Sequence, residues 1–434
     1  MSRPIRLALA LAALPATSAS AQTPPPVTAL THVTVIDGTG ASPQRDMTVV
    51  IRDGRIAGVF PSTTADPPAG ASVLDLAGRY LIPGLIDTHV HLATAPSGMD
   101  RRDVEERVLR NALHGGVTTV RDMAGDGRRL ADLARSALVG DIESPAIYYA
   151  ALMAGPEFFD DPRVLDASRG TAPGAAPWAR AVTAQTKWPI VLAEARGTGA
   201  IAVKVYAAVS ASVLRPLVAE AHRQGLRVWA HATLFPARPS EVVAAGVDVI
   251  SHASLMAWEG VPSLPDFHSR AKPDPLVAPD SPPITALLDL MAKRGTMLDA
   301  TLFVYSDRED AEAWGAAVVH EAWQKGIAIT AGTDSLGDDK PGVLPTIHEE
   351  LRLLVERAGM SPLAALNAAT QHGARALGIE ETRGTIAPGK AADLVVLSAD
   401  PTADIRHTRD IVYVFRDGRR YEPIPPPTAQ LRSP

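Results

Sequence analysis

The chain has 434 residues, 46% of them hydrophobic, 21% charged and 5% aromatic, with a formal net charge of -6. That hydrophobic share is typical of globular proteins and excludes wholesale disorder and fibrous repeats. There is no cysteine, which rules out disulfide frameworks and thiolate metal or redox sites. Acids and bases are interspersed, so the chain lacks the electrostatic footprint of a partner for nucleic acid or an anionic membrane.

Arg3 and Arg6 head an apolar run over residues 7–14, and Ala19-Ser20-Ala21 forms a small-residue cleavage site before Gln22. The pattern predicts a signal peptide over residues 1–21, cut after Ala21, and with it a periplasmic or secreted protein. The run is too short to span a bilayer, and no later stretch is long and apolar enough to do so. An exported chain without cysteine takes its stability from packing or from metal.

Thr23-Pro24-Pro25-Pro26 reads as a linker, and short alternating strands follow. Thr48-Val49-Val50-Ile51-Arg52 meets Asp53-Gly54, a two-residue turn signal, and continues as Arg55-Ile56-Ala57-Gly58-Val59. Near the other end Val412-Tyr413-Val414-Phe415-Arg416 turns in the same way at Asp417-Gly418. These echoes predict one small β-sandwich domain built from residues 27–82 and 381–422, with the middle of the chain inserted into it. Two unrelated hairpins are the alternative, and residues 423–434 read as a tail.

From 83 to 380 the rhythm changes. Helical stretches end in glycine and give way at once to apolar runs: Gly116 before Val117-Thr118-Thr119-Val120, Gly225 before Leu226-Arg227-Val228-Trp229-Ala230, Gly246 before Val247-Asp248-Val249-Ile250. Gly295 and Gly326 introduce two more. Glycine suits the left-handed position after a helix, so the punctuation marks helix-to-strand loops. With candidates at 86–92, 146–150 and 201–206, eight strands alternate with helices, which suits a (β/α)8 TIM-like barrel; a doubly wound open sheet is the alternative. Residues 153–183 and 260–283 break the rhythm as long loops, either shaping a pocket or decorating the surface.

The chemistry is carried by where histidines and carboxylates fall. In Asp87-Thr88-His89-Val90-His91, strand alternation points His89 and His91 to the same side. His231 closes Val228-Trp229-Ala230-His231, His252 closes Val249-Ile250-Ser251-His252, and Asp334 closes Ile329-Thr330-Ala331-Gly332-Thr333-Asp334. Each follows an apolar strand at its carboxyl end, so in a barrel all five converge on one mouth. Neutral imidazole is the commonest protein ligand for zinc-type cations. Lys204 sits inside a strand, Ile201-Ala202-Val203-Lys204-Val205-Tyr206, where an unpaired charge is expensive. It is paired with a carboxylate, uncharged, or modified, for example as a carbamate.

Several segments resemble the metal-dependent amidohydrolase superfamily, and within it the imidazolonepropionase-like and prolidase-like branch. They are Leu81-Ile82-Pro83-Gly84-Leu85-Ile86-Asp87-Thr88-His89-Val90-His91, Gly116-Val117-Thr118-Thr119-Val120-Arg121-Asp122, Ala331-Gly332-Thr333-Asp334 and the tail from Gly384 to Leu397. The resemblance implies His89, His91 and Asp334 on one metal, His231 and His252 on a second, and a carbamate on Lys204 between them. Ser251 departs from the pattern, since relatives often carry an acid before this histidine. The resemblance also implies that Asp334 shuttles the proton for a metal-bridging hydroxide, with zinc as the default pair of divalent ions. Manganese, cobalt or iron are further candidates.

Tyr206 shares the parity of Lys204 and is a candidate for substrate binding or for filling the barrel. His348 resembles a position that lines the substrate site, against a solvated helix-start histidine. Arg121 and Asp122 end the second strand, where an internal ion pair is expected. His114, His222, His320 and His372 receive no role. The expected activity is hydrolysis of an amide bond in a small-molecule substrate, a dipeptide or N-acyl amino acid. A cyclic amide, imidazolone or lactone is the alternative, and a noncatalytic periplasmic binder the third. A homo-oligomer is compatible with all of these.

Overall fold

The computed structural model describes residues 27–94, 101–269 and 277–425. The expected signal peptide, the linker at 23–26, part of the 260–283 loop and positions 426–434 of the tail lie outside the described residues.

The N-terminal segment forms β1 (Val27–Val35), β2 (Gln44–Arg52), β3 (Arg55–Pro61), β4 (Ser72–Asp75) and β5 (Tyr80–Pro83). Alternation along β2 sends Met47, Val49 and Ile51 into one buried cluster, and an irregularity in β1 between Leu30 and Val33 lets both of these join it. The chain then passes through Gly84 into β6 (Leu85–Val90), β7 (Val117–Asp122) and β8 (Ala146–Ala154). After β8 an insertion carries the short strands β9 (Ala175–Ala176) and β10 (Ala179–Ala181), the latter pairing with the end of β8. Next come β11 (Ala202–Val205), β12 (Arg227–His231), β13 (Val249–Ser251), β14 (Met297–Asp299) and β15 (Ile329–Thr330).

Strands β6, β7, β8 and β11 to β15 pair in parallel, each with the next. The first and last come together through backbone bonds, Thr88 N to the Ala331 carbonyl at 3.0 Å and Asp334 N to the His89 carbonyl at 2.8 Å. A barrel requires such bonds and a doubly wound open sheet lacks them. Helices between the strands cover the outside with one continuous apolar core. Gly295 caps the helix Pro282–Arg294 at φ 70°, and Thr296 leads directly into β14.

The C-terminal segment returns as β16 (Leu394–Leu397), β17 (Ile411–Arg416) and β18 (Arg419–Tyr421). Leu394, Val396 and Phe415 enter the same cluster as β1 and β2, so both ends of the chain share one small core. β5 stitches the halves together, antiparallel to β16 and parallel to β1. The echoed Asp-Gly turns both run at positive φ (Asp53 53°, Gly54 73°; Asp417 46°, Gly418 76°), as two-residue hairpins of this type require. They also abut: Ala392 donates to the Gly54 carbonyl at 2.8 Å and accepts from Gly418 N at 3.0 Å. A sequence echo separated by most of the chain therefore becomes one local contact.

Candidate metal centre

Five strand ends build the site. His89 lies on β6 and His91 just beyond it, Lys204 lies within β11, His231 ends β12, His252 follows β13, and Asp334 follows β15. Their rings form a chain, with centroids 5.5 Å apart for His91 and His89, 4.7 Å for His89 and His252, and 4.8 Å for His252 and His231. Ligand atoms of His89, His91 and Asp334 lie within 4.8 Å of one another. Oδ1 of Asp334 stands 3.3 Å from Nε2 of His91 and 3.6 Å from Nε2 of His89.

Backbone strain is concentrated here. His252 and Asp334 adopt φ of 71° and 55°, a region costly for residues other than glycine. Neighbouring strands hold both: His252 N donates to the Asp299 carbonyl at 3.1 Å, and Asp334 N is the donor that closes the barrel.

Three of the four imidazoles are anchored through Nδ1, which leaves Nε2 facing inward. His89 Nδ1 pairs with Asp299 Oδ2 at 2.7 Å, His91 Nδ1 with the Ala124 carbonyl at 3.2 Å, and His252 Nδ1 with Thr301 Oγ1 at 2.9 Å. Such partners fix tautomer and ring orientation in metal sites. Burial lowers the pKa of His89, drives His231 well below its ordinary value with help from Lys204, and takes His252 to about 3. These rings are therefore neutral, as ligands must be. Burial pushes Asp334 towards neutrality, but His89, His91 and His252 outweigh it and hold the carboxyl well below its usual range.

Two atoms test whether a cation fits. His89 Nε2 and Lys204 Nζ are both buried and have no hydrogen-bond partner among the described residues. Orphaned buried polar atoms are costly and call for an explanation. Two such atoms, aimed among neutral imidazoles and an ionised carboxylate, suit a divalent cation. Lys204 pairs with no carboxylate among the described residues, and burial lowers it to about 7.

Sequence reasoning missed Asp299, the last residue of β14. It is fully buried and gathers five donors: His89, Arg121 Nη2 at 2.9 Å and Ser251 Oγ at 3.0 Å on Oδ2, with Thr88 at 2.9 Å and Thr330 at 3.2 Å on Oδ1. Burial opposes its charge, but Arg121, His89 and Thr88 prevail and hold it well below the ordinary range. Ser251, the departure noted above, thus hands its bond to a carboxylate on the next strand. The one available cue was position, since β13 and β14 pair with Ser251 opposite Asp299. Arg121 forms its ion pair with Asp299, and its guanidinium lies 4.6 Å above the Trp229 ring. Asp122 instead accepts from the backbone of Leu92 and Ala124.

His348 requires a correction. It does not line the barrel mouth: it is buried, with Nδ1 on Thr408 Oγ1 at 3.0 Å and Nε2 on the Gly115 carbonyl at 2.9 Å. Both ring nitrogens are occupied where a barrel helix meets the C-terminal segment, so the residue joins the two parts of the fold. Tyr206 does reach the mouth, its ring 4.0 Å from that of His231. With Asp334 it borders two cavities, one of about 620 Å³ and one of about 280 Å³.

Residues 80–421 match the model of the Amidohydrolase family. The chain is 27% identical over 396 residues to an imidazolonepropionase of Deinococcus deserti, covering 84% of this chain and 88% of that one. It is 26% identical over 458 residues to the ochratoxinase of Aspergillus niger, covering 89% and 85%. The crystal structure of A. niger ochratoxinase superposes with a TM-score of 0.72 at 22% identity, over 92% of this chain and 96% of that chain. A Xaa-Pro dipeptidase gives 0.70 at 22% identity, over 91% and 100%. The chain belongs to the amidohydrolase family, whose members are metal-dependent hydrolases of carbon–nitrogen bonds.

Proposed function

We propose that this protein hydrolyses the amide bond of a dipeptide or N-acyl amino acid at a pair of divalent ions, with zinc as the default for a histidine-rich site. In this reading His89, His91 and Asp334 hold one ion, His231 and His252 the other, and Lys204, as a carbamate, lies between. The supporting observation is the pair of buried, unpartnered atoms, His89 Nε2 and Lys204 Nζ. With its pKa lowered to about 7 by burial, Lys204 is partly the neutral amine, whose nitrogen would add carbon dioxide and release one proton to solvent, leaving an anionic oxygen ligand.

When bound, the ions supply an acidified water and polarise the substrate carbonyl. The chain's own residues do the rest. The Asp334 carboxylate takes the proton from the attacking water and passes it to the leaving nitrogen. Asp299, Ala124 and Thr301 hold the rings of His89, His91 and His252 in register, so no reorientation is needed during turnover. Tyr206 borders both cavities beside Asp334 and positions the substrate between them.

Hydrolysis of a cyclic amide, imidazolone or lactone is the second reading, favoured by the imidazolonepropionase relatives. Screening zinc-loaded protein against dipeptides, N-acyl amino acids, cyclic amides and lactones separates the two. Turnover of linear amides supports the first reading, turnover of rings alone supports the second, and binding without turnover leaves a noncatalytic binder. Asp334→Asn should lower kcat at least about 1,000-fold while the fold survives; unchanged turnover would remove Asp334 from the mechanism. Export is part of the same proposal and rests on residues 1–21. N-terminal sequencing of the mature protein should begin at Gln22, and an intact Met1 or Ser2 start would refute it.

A further inference from the structure

The two long insertions meet over the metal centre. The one after β8 brings Phe158 to 5.5 Å from Phe267, which belongs to the one after β13, and His268 Nε2 pairs with the Glu157 carbonyl at 2.8 Å. Phe158 also lies 4.5 Å from Tyr206 at an interplanar angle of 32°. This partition separates the two cavities that share Tyr206 and Asp334. The larger has aromatic walls, namely Phe235, Trp258, Phe267, Tyr305 and Trp314. Apart from Asp334, its carboxylate and guanidinium residues, Arg308, Glu309 and Asp310, are exposed and edge its mouth. Beyond Phe158, the smaller is walled by Leu152, Val164, Ala167 and Ala179, all aliphatic and buried.

We infer that this site takes an amide with a bulky aromatic group on one side of the scissile bond and a short aliphatic group on the other, sorted by the partition that the two insertions build. The inference rests on the hydrolytic reading above and names its substrate class. Asp334 stands on the boundary of the two cavities, so a scissile nitrogen within its reach must send its two substituents to opposite sides. Aromatic walls reward a flat, polarisable group, whereas the aliphatic chamber has less than half the volume and, apart from His91 and Asp334 of the metal centre, no titratable acid or base among its described lining residues besides Tyr206. Loss of one large apolar group from such a pocket lowers kcat/KM by about 10–100-fold.

The test uses zinc-loaded full-length protein and five amides: N-(2-naphthoyl)-alanine and its mirror N-acetyl-3-(2-naphthyl)-alanine, then N-(2-naphthoyl)-tryptophan, N-acetylglycine and aspartyl-glutamate. One or both of the mirror pair should exceed the other three at least tenfold in kcat/KM. Phe267→Ala should raise KM for the preferred naphthyl substrate about tenfold and leave N-acetylglycine little changed, with zinc content equal to wild type. Ala179→Leu should act in reverse, penalising a valine-sized group in the smaller chamber more than a glycine-sized one. Equal rates across the panel, or aspartyl-glutamate as the best substrate, would overturn the substrate class while leaving amide hydrolysis intact. Cleavage of none of the five, with zinc bound, would count against the hydrolytic reading itself.

Discussion

Asp299→Asn probes the carboxylate on which the barrel mouth converges. Three donors meet Oδ2 (His89, Arg121 and Ser251) and two hydroxyls meet Oδ1. An asparagine fits best with its oxygen in place of Oδ2, because the hydroxyls of Thr88 and Thr330 can turn to accept from its amide. The shape is kept but the charge is lost, and Arg121 is left fully buried without its counter-ion. Hydrogen bonds to charged groups contribute roughly 1.5–3 kcal/mol against about 1 for neutral ones, and removing one partner of a buried ion pair costs about 3–5 kcal/mol. The variant should therefore lose about 3–5 kcal/mol of stability in the metal-free protein, read from denaturant unfolding. Metal affinity should fall about 10–100-fold as the bond that orients His89 loses its charged acceptor, read by competition with a chelator. Adding Arg121→Met should return part of the stability and none of the affinity, because it removes the stranded charge and leaves His89 on the same neutral acceptor. A single variant with wild-type affinity and unfolding free energy would refute the assignment of Asp299 as the group that orients His89.

Burial, opposed by the Gly115 carbonyl and aided by Arg409, lowers His348 from the ordinary 6.5 to about 4. The unfolded chain takes up the proton first, so this stability is complete above about pH 6.5, declines as pH falls towards 4 and amounts to about 3 kcal/mol. His348→Gln should flatten the acid limb of the stability–pH curve in that window, and an unchanged slope would contradict the assignment. Glu350 is buried and accepts from the backbone N–H groups of Leu302 and Phe303, at 3.1 and 2.7 Å, at the base of the loop that carries Thr301 and Tyr305. Burial pushes its pKa well above the ordinary value, against the two backbone N–H groups that lower it. Glu350→Gln keeps one acceptor and turns its NH2 towards the other backbone N–H, so it should cost about 1–3 kcal/mol, whereas Glu350→Ala strands two amides at about 1–3 kcal/mol each. Equal losses for the two variants would defeat this reading. A Cβ on Gly332 would press on Asp299 Oδ1 and come within 2.6 Å of His89 Cβ. Gly332→Ala should cost about 1–3 kcal/mol and weaken metal binding, and an unaltered unfolding midpoint would show that the strand can yield.

The sequence by itself determined the period-two and helix-then-glycine rhythms, hence the eight barrel strands and the split β domain. It also determined that His89, His91, Lys204, His231, His252 and Asp334 lie on strands or at their carboxyl ends. Those features are local, because strand alternation and turn chemistry act over a few residues. Only the tertiary structure decided which partner each polar group would meet. Asp299 looks like any strand-end acid until β6, β7, β13 and β15 bring it donors from outside its own strand. His348 lies on a helix after the last barrel strand, yet packing against the C-terminal segment turns it away from the mouth. The two insertions read only as long loops, and the contact of Phe158 with Phe267 that makes them a roof joins residues far apart in the chain. Burial and pairing are properties of surfaces brought together from distant segments, and no short window of residues contains both sides of such a contact.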